Sequence, residues 1–369
     1  MTQYIFLYDQ LCDHQLYSIV AGLPLEGAPA HITGQSTYST ENPNCAVLLA
    51  APNGTAKGIL ADPGEAARSR IDFYKSALGY TLEQRMVETA TGPVQADVYV
   101  SPPKARPNAP WSLSDWQTRH GTLARLVATE LIGLRLSHTV EAANRSLPQI
   151  EMRAASRLRA EHAAPPSPLA PRMSDAEVYV ERTERPYTDY FAVREDWLSF
   201  PHFSRGQSDV VKRASFLGGD AVTVLPYDPA LESVLIIRQF RHGAFARGDK
   251  NPWTLEPAAG RIDVGEAPEA TAARELQEET GVTAQSLHFV GQYYPSPGAY
   301  SEYLYSYVAC ADLSSADGGI GGLEAEAEDI MRHVIPLDEA LALIETGAAN
   351  TGPLVLSLGW LALNKGKLA

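Results

Sequence analysis

The chain has 369 residues, 45% of them hydrophobic and 20% charged, which is ordinary globular usage and enough length for two or three domains of about 150 residues each; wholesale disorder and a membrane-embedded body are excluded. Thirty Lys and Arg against 44 Asp and Glu leave a net charge of −14, which repels phosphate backbones and removes nucleic acid from the expected partners. The opening Met1 to Asp9 carries no basic leader and no later run approaches the roughly 20 apolar residues of a membrane span, so a cytoplasmic protein without a membrane partner is expected. Cys12, Cys45 and Cys310 have neither CxxC nor Cys/His spacing, and reduced, mostly buried thiols are expected rather than disulfides or a zinc site.

In chain order, residues 1 to 100 mix β-rich runs (Tyr4 to Tyr8, Ala46 to Ala50, Asp97 to Val100) with one helical stretch, Gly64 to Leu78; an α+β unit is predicted. A Pro-rich stretch from Ser101 to Pro110 precedes two predicted helices, Ser114 to Leu134 and His138 to His162. Ala163 to Pro171 holds four prolines and reads as an extended spacer. The domains are therefore placed at 1–162 and 174–369, with a linker over 163–173. The second domain opens with strands at Ala221 to Leu225 and Val234 to Ile237 around an Asp228-Pro229 turn, followed by a helix near Pro268 to Thr280. Strands at Leu287 to Val290 and Tyr303 to Ala309 and C-terminal helices complete it, predicting a sheet with helices on its faces. The glycine cluster Gly318 to Gly322 reads as a flexible loop by composition.

The segment richest in chemistry is Gly260, five residues, Glu266, seven residues, then Arg274-Glu275-Leu276-Gln277-Glu278-Glu279-Thr280-Gly281-Val282. Pro268 suits a first helical turn and Gly281 a C-terminal cap, so the helix is bracketed. At 100° per residue Glu275, Glu278 and Glu279 share a face, and Ala270, Ala273 and Leu276 are expected on the opposite one. Three crowded carboxylates weaken an isolated helix and ask for a cation. Oxygen ligands point to Mg²⁺ or Mn²⁺, ions that serve phosphate chemistry. The competing explanation is a solvated acidic face paired to Arg274.

This stretch resembles the Nudix box of the Nudix hydrolases, met at every position, and the resemblance runs from about Tyr187 to the C-terminus. It looks closest to the ADP-ribose pyrophosphatase branch. Pro297 lies fifteen residues after Val282 in Pro295-Ser296-Pro297-Gly298, Leu255 to Gly260 resembles the strand entering the box, Gln239-Phe240-Arg241 resembles a Gln-apolar-Arg segment, and Gly322 to Ile330 resembles a late acidic loop. The resemblance implies a C-terminal α/β/α sandwich in which Glu275, Glu279, the Ala259 carbonyl and, with substrate bound, Glu328 hold the metal, with Glu278 as an auxiliary ligand. Glu326 is implied as the general base, chosen over its neighbours Glu324 and Glu328, and Arg274 as the residue orienting the glutamates. Arg241 is expected on the pyrophosphate, and Arg213, Glu256, Pro297, Gly298 and Glu302 at or near the substrate. An ordinary surface charge remains an equal alternative for Arg213 and Glu302. The implied activity is Mg²⁺- or Mn²⁺-dependent hydrolysis of ADP-ribose to AMP and ribose 5-phosphate, or of another nucleoside diphosphate sugar such as GDP-mannose. A ligand-sensing protein without turnover is the rival from another class. The resemblance further implies a homodimer through this domain, with Arg213 serving the partner's site.

Phe6-Leu7-Tyr8-Asp9-Gln10-Leu11, Ile71-Asp72-Phe73-Tyr74 and Ala96 to Val100 resemble, more loosely, the γ-glutamylcyclotransferase-like (AIG2-like) domain. A mixed barrel with trailing helices is implied for the first domain. Asp9 stands where that family has a glycine in its anion-binding turn, and Lys75 where it has its catalytic glutamate. An ammonium does not replace a carboxylate as proton acceptor, so no cyclotransferase activity is expected. Trp111, Trp116 and His120 read as aromatic packing at a helix start rather than as a site.

Overall fold

The structure, a computed structural model, describes residues 4–42, 45–101, 105–163, 169, 177–204, 206–323 and 328–368. The chain divides into two compact units, Met1–Leu158 and Arg159–Ala369. Most of the Pro-rich stretch from 163 to 171 lies outside the described residues, as do Glu324 and Glu326. Among the described residues no helix is long and apolar enough to cross a membrane.

The first unit comprises β1 (Ile5–Leu7), α1 (His14–Ala21), β2 (Ala28–Thr40), β3 (Ala46–Ala61), α2 (Gly64–Ala77), β4 (Thr81–Thr89), β5 (Gly92–Val100) and β6 (Pro107–Pro110), then α3 (Leu113–Arg119), α4 (Gly121–Gly133) and α5 (Val140–His162), the last running across the division between the units. Strand order β3-β1-β5-β4-β2 closes through a β2–β3 pairing, giving the expected mixed barrel, five-stranded, with β1 and β5 parallel and β6 added on β2. Period-two alternation builds it: Phe6 and Tyr8 pack with Ile32, Val87 and Val98 in one core, while Ile5 and Leu7 face the helices in a second core with Leu16, Ile71 and Leu131. The predicted helix from 114 to 134 is two helices, because His120 (φ −128°) leaves helical geometry between them. Trp116 is buried in the helix-side core and Trp111 packs against it, so the pair does pack a helix start, with ring centroids 6.3 Å apart. The cysteines are free, Cys45 and Cys310 buried and Cys12 half-buried.

The second unit opens with a three-stranded antiparallel sheet, β7 (Tyr179–Thr188), β8 (Ala192–Ser199) and β9 (Val211–Leu217). A larger mixed sheet follows, formed by β10 (Ala221–Asp228), β11 (Ser233–Phe240), β12 (Trp253–Glu256), β13 (Ala258–Arg261), β14 (Ser286–Tyr293), β15 (Leu304–Cys310), β16 (Ile320–Gly321) and β17 (Ile330–Pro336). Its helices are α6 (His242–Arg247), α7 (Pro268–Thr280), α8 (Leu337–Thr346) and α9 (Gly352–Asn364). All eight residues of β10 are buried. Val222, Val224, Leu235 and Ile237 pack with Ala272 and Leu276 of α7; Leu225, Tyr227, Val234 and Ile236 pack with Leu337, Leu354 and Leu358 of α8 and α9. Alternate residues of β10 and β11 thus serve opposite helical layers, and the expected three layers are present.

Two expectations need correction. The Gly318–Gly322 cluster is not merely a loop: Ile320 and Gly321 form β16, paired with Met331 and Ile330 of β17, because nearby packing can recruit a glycine segment that composition alone would leave open. Ala270 and Ala273 are exposed, and α7 instead buries Thr271, Ala272, Leu276, Glu279 and Thr280. The acidic edge of α7 therefore overlaps its buried stripe rather than opposing it, since only Ala272 and Leu276 reach the core beneath β10.

Candidate active site

Helix α7 starts with Pro268 in its first turn and ends at Gly281, whose φ of 70° permits its N–H to bond Gln277 O. It lies along β13, the strand antiparallel to β10 in which Ala259 pairs with Thr223. From β13 the Ala259 N–H donates to Glu279 Oε2 at 2.8 Å. At the next residue a Cβ would fall 2.0 Å from the Glu275 carboxyl, so only Gly260 lets that carboxylate lie against the strand.

Glu279 is 1% exposed. Burial first, then the nearby Glu328 and Glu275 carboxylates, push its pKa up to about 8 against the pull of the Ala259 N–H and Arg241. Burial likewise raises Glu275 to about 7, with Glu278 and Glu328 adding to it and Arg274 opposing. Arg274 fans across the outer edge: Nη1 donates to Glu275 Oε1 at 2.7 Å and to Glu278 Oε2 at 2.9 Å, Nη2 to Glu266 Oε2 at 3.1 Å and Arg261 O at 3.3 Å. These bonds, Glu266 foremost, raise the guanidinium above its ordinary value. Glu328 approaches from the far side, its carboxylate accepting from the Leu323 N–H at 3.2 Å.

Across from this edge, Arg241 holds Glu256 through Nε at 2.9 Å and Nη2 at 2.6 Å, while Thr254 Oγ1 donates to the same carboxylate. The Arg241 charge is felt by both Glu279 and Glu302. Burial raises Glu302 above the usual carboxylate range, opposed by Arg261, Tyr300 and Arg241. The Arg261 guanidinium stacks over the exposed Tyr190 ring, 4.3 Å from its centroid.

The chemistry of this donor set fits a hard divalent cation. Burial, with neighbouring carboxylates adding to it, raises Glu275 and Glu279 to about 7 and about 8, and a cation would relieve that penalty. Among the described residues, no group of three His, Cys, Asp or Glu side chains is disposed to hold a metal ion; Arg274 pairs with both Glu275 and Glu278.

The NUDIX domain profile matches residues 218–357. The ADP-ribose pyrophosphatase of Haemophilus influenzae is 35% identical over 196 residues, 53% of this chain and 89% of that protein. The ADP-ribose pyrophosphatase of Escherichia coli K12 is 35% identical over 193 residues, 52% of this chain and 90% of its own. The chain belongs to the Nudix family. A GDP-mannose pyrophosphatase of Citrobacter koseri is also similar, 34% identical over 161 residues, 43% of this chain and 82% of that protein.

Of the residues singled out in the sequence, the Nudix fold brings Ala259, Arg274, Glu275, Glu278, Glu279 and Glu328 to one edge, with Arg241, Glu256 and Glu302 facing it. Pro297 and Gly298 are exposed in the turn after β14. Arg213 is exposed on β9, where its Nη1 donates to Lys212 O. Glu326 lies outside the described residues. Sequence reading passed over Glu266 as an Arg274 partner, although the box spacing marked the residue. It also passed over Arg261, Tyr190 and Tyr300, which carry no motif signal and meet only through strand and turn geometry.

Proposed function

We propose that the second unit is a Nudix pyrophosphohydrolase that uses Mg²⁺ or Mn²⁺ to cleave the pyrophosphate of ADP-ribose into AMP and ribose 5-phosphate. The observation that carries this reading is the pair of carboxyls, Glu275 and Glu279, raised by burial and by neighbouring carboxylates and packed behind Gly260, opposite Arg241. Glu275, Glu279, the Ala259 carbonyl and Glu328 would hold the cation, with Glu278 auxiliary. Bound there, a divalent cation would neutralise phosphate charge and lower the pKa of water. Arg274 holds Glu275 and Glu278 in place through its Nη1. Arg241 already spends Nε and Nη2 on Glu256 and turns its remaining edge to a phosphate oxygen. Glu326 is the proposed general base. Glu302, Arg213, Pro297 and Gly298 are proposed at the substrate's flanks.

The similarity to a GDP-mannose pyrophosphatase supports a second reading, in which GDP-mannose is cut to GMP and mannose 1-phosphate. A panel of nucleoside diphosphate sugars with Mg²⁺ or Mn²⁺, products separated by chromatography, tests both. Metal-dependent AMP release is expected, GMP release alone transfers the assignment, and absence of any nucleotide product rejects catalysis in favour of ligand sensing. We further propose domains over 1–162 and 174–369 joined by a linker, and a homodimer through the Nudix domain in which Arg213 serves the partner's site.

For the first unit we propose a γ-glutamylcyclotransferase-like barrel without that activity. Lys75 and Asp9, the two departures from that family's pattern, are 1% and 3% exposed and bond each other, which leaves the opening turn with no carboxylate base and no vacant anion site. Release of 5-oxoproline from γ-glutamyl substrates would overturn this.

A further inference from the structure

Arg332 belongs to none of the motifs above, yet it touches two ends of the site's framework. It sits on β17 and its guanidinium lies half-buried. Nη1 donates to Thr280 O at the C-terminal end of α7 and Nη2 to Gly318 O at 3.0 Å, while the Arg332 N–H bonds Gly319 O at 3.3 Å. A cation at a helix C-terminus satisfies both the orphan carbonyl and the helix dipole. Gly319 has φ +90°, and a Cβ there would come within 2.4 Å of Arg332 Nη2. Two residues on, a Cβ at Gly321 would fall 1.8 Å from the carbonyl oxygen of Glu279, so the β16 backbone rests directly on the Glu279 backbone. Immediately after it, Leu323 and Glu328 close on each other: the Leu323 N–H donates to the Glu328 carboxylate at 3.2 Å, and the Glu328 N–H donates to Leu323 O at 3.3 Å.

We propose that Arg332 is a positioning residue that ties the end of α7 to the Gly318–Gly319 turn and so sets the distance between Glu279 and Glu328. The inference rests on the Nudix hydrolase reading and extends it to a residue outside the box. Without the side-chain tie, the Gly318–Gly321 segment keeps its two-residue pairing with β17 and the Arg332 N–H bond to Gly319 O but loses its bond to the end of α7, and Glu328 drifts from the glutamates of α7.

The test compares wild type with Arg332→Met, Arg332→Lys and Gly319→Ala. In metal-free protein, amide hydrogen exchange at Gly321, Leu323 and Glu328 is expected to quicken in Arg332→Met. Mn²⁺ binding without nucleotide is expected to weaken about tenfold, the scale of losses seen when an outer support of a metal site is removed. Turnover is expected to fall by a similar factor with the KM for nucleotide unchanged, and Arg332→Lys, which keeps one carbonyl bond, is expected to fall between the two. Gly319→Ala reaches the same tie from its other end and serves if Arg332→Met does not fold. Wild-type exchange, Mn²⁺ binding and turnover in Arg332→Met would overturn the proposal, as would a loss confined to KM. Were wild type itself to release no nucleotide with any metal, the hydrolase reading would fail instead, and the exchange measurement would still report on the tie.

Discussion

Each unit buries charged side chains, and two of those places, one in each unit, are arranged oppositely. In the barrel, Lys75 and Asp9 meet as an ion pair, with Lys75 also 4.1 Å from the centre of the Tyr80 ring. Beside α7, Glu279 is buried and Glu275 half-buried with like charges for company; Arg274, which meets Glu275, is shared with Glu266 and Glu278, and Arg241 acts on Glu279 while bonded to Glu256. A paired interior charge is closed to further chemistry, because its field is spent on its partner. A surplus of one sign is open, because the fold is relieved only by something brought in from solution.

That contrast is broken most severely in the barrel. Lys75→Met leaves Asp9 buried without its ammonium, and chemical denaturation is expected to show a loss of about 3–5 kcal/mol, with much of it regained in Lys75→Met/Asp9→Asn; an unchanged midpoint would remove the pair from the architecture. Next in size, Glu279→Gln keeps the Ala259 N–H bond possible but removes the charge, and turnover in saturating Mg²⁺ is expected to drop at least about a hundredfold. Wild-type-like rates there would discard the assignment of α7. Arg241→Lys loses the forked contact to Glu256 and the proposed contact to phosphate, and a rise in nucleotide KM of about tenfold is expected from steady-state kinetics.

The smallest effect concerns pH. Glu275 and Glu279 are raised to about 7 and about 8 from an ordinary 4.5. Across that window the folded state holds protons that the unfolded chain has already released. Their contribution to stability is therefore complete below about 4.5 and is lost as pH climbs through 8. Metal-free protein is expected to melt a few degrees lower at pH 8.5 than at pH 6, Glu279→Gln to flatten that slope, and Mg²⁺ to do the same in wild type; thermal scans at fixed ionic strength check all three.

Much of the C-terminal site was legible because its signals are local. Pro268 and Gly281 bracket α7 at the predicted residues, and fixed spacing alone brings Arg274 within reach of Glu275 and Glu278. Reading the inward face of α7 failed at Ala270 and Ala273, since a helix carrying glutamates and alanines in near-equal measure is turned by the sheet it meets. The partnership of Asp9 with Lys75 was equally hidden, the two being noticed only as separate departures from a pattern.

Composition, capping residues and period therefore decided by themselves the length of α7 and the acidic character of its edge, both of which depend on neighbours a few residues apart. Closure of the barrel through β2 and β3, the seating of Gly321 on Glu279, and the choice of which carboxylates lose water were settled only by the tertiary structure. Those outcomes depend on surfaces contributed by segments far apart in the chain, and burial, unlike helix capping, is not a property of any one of them.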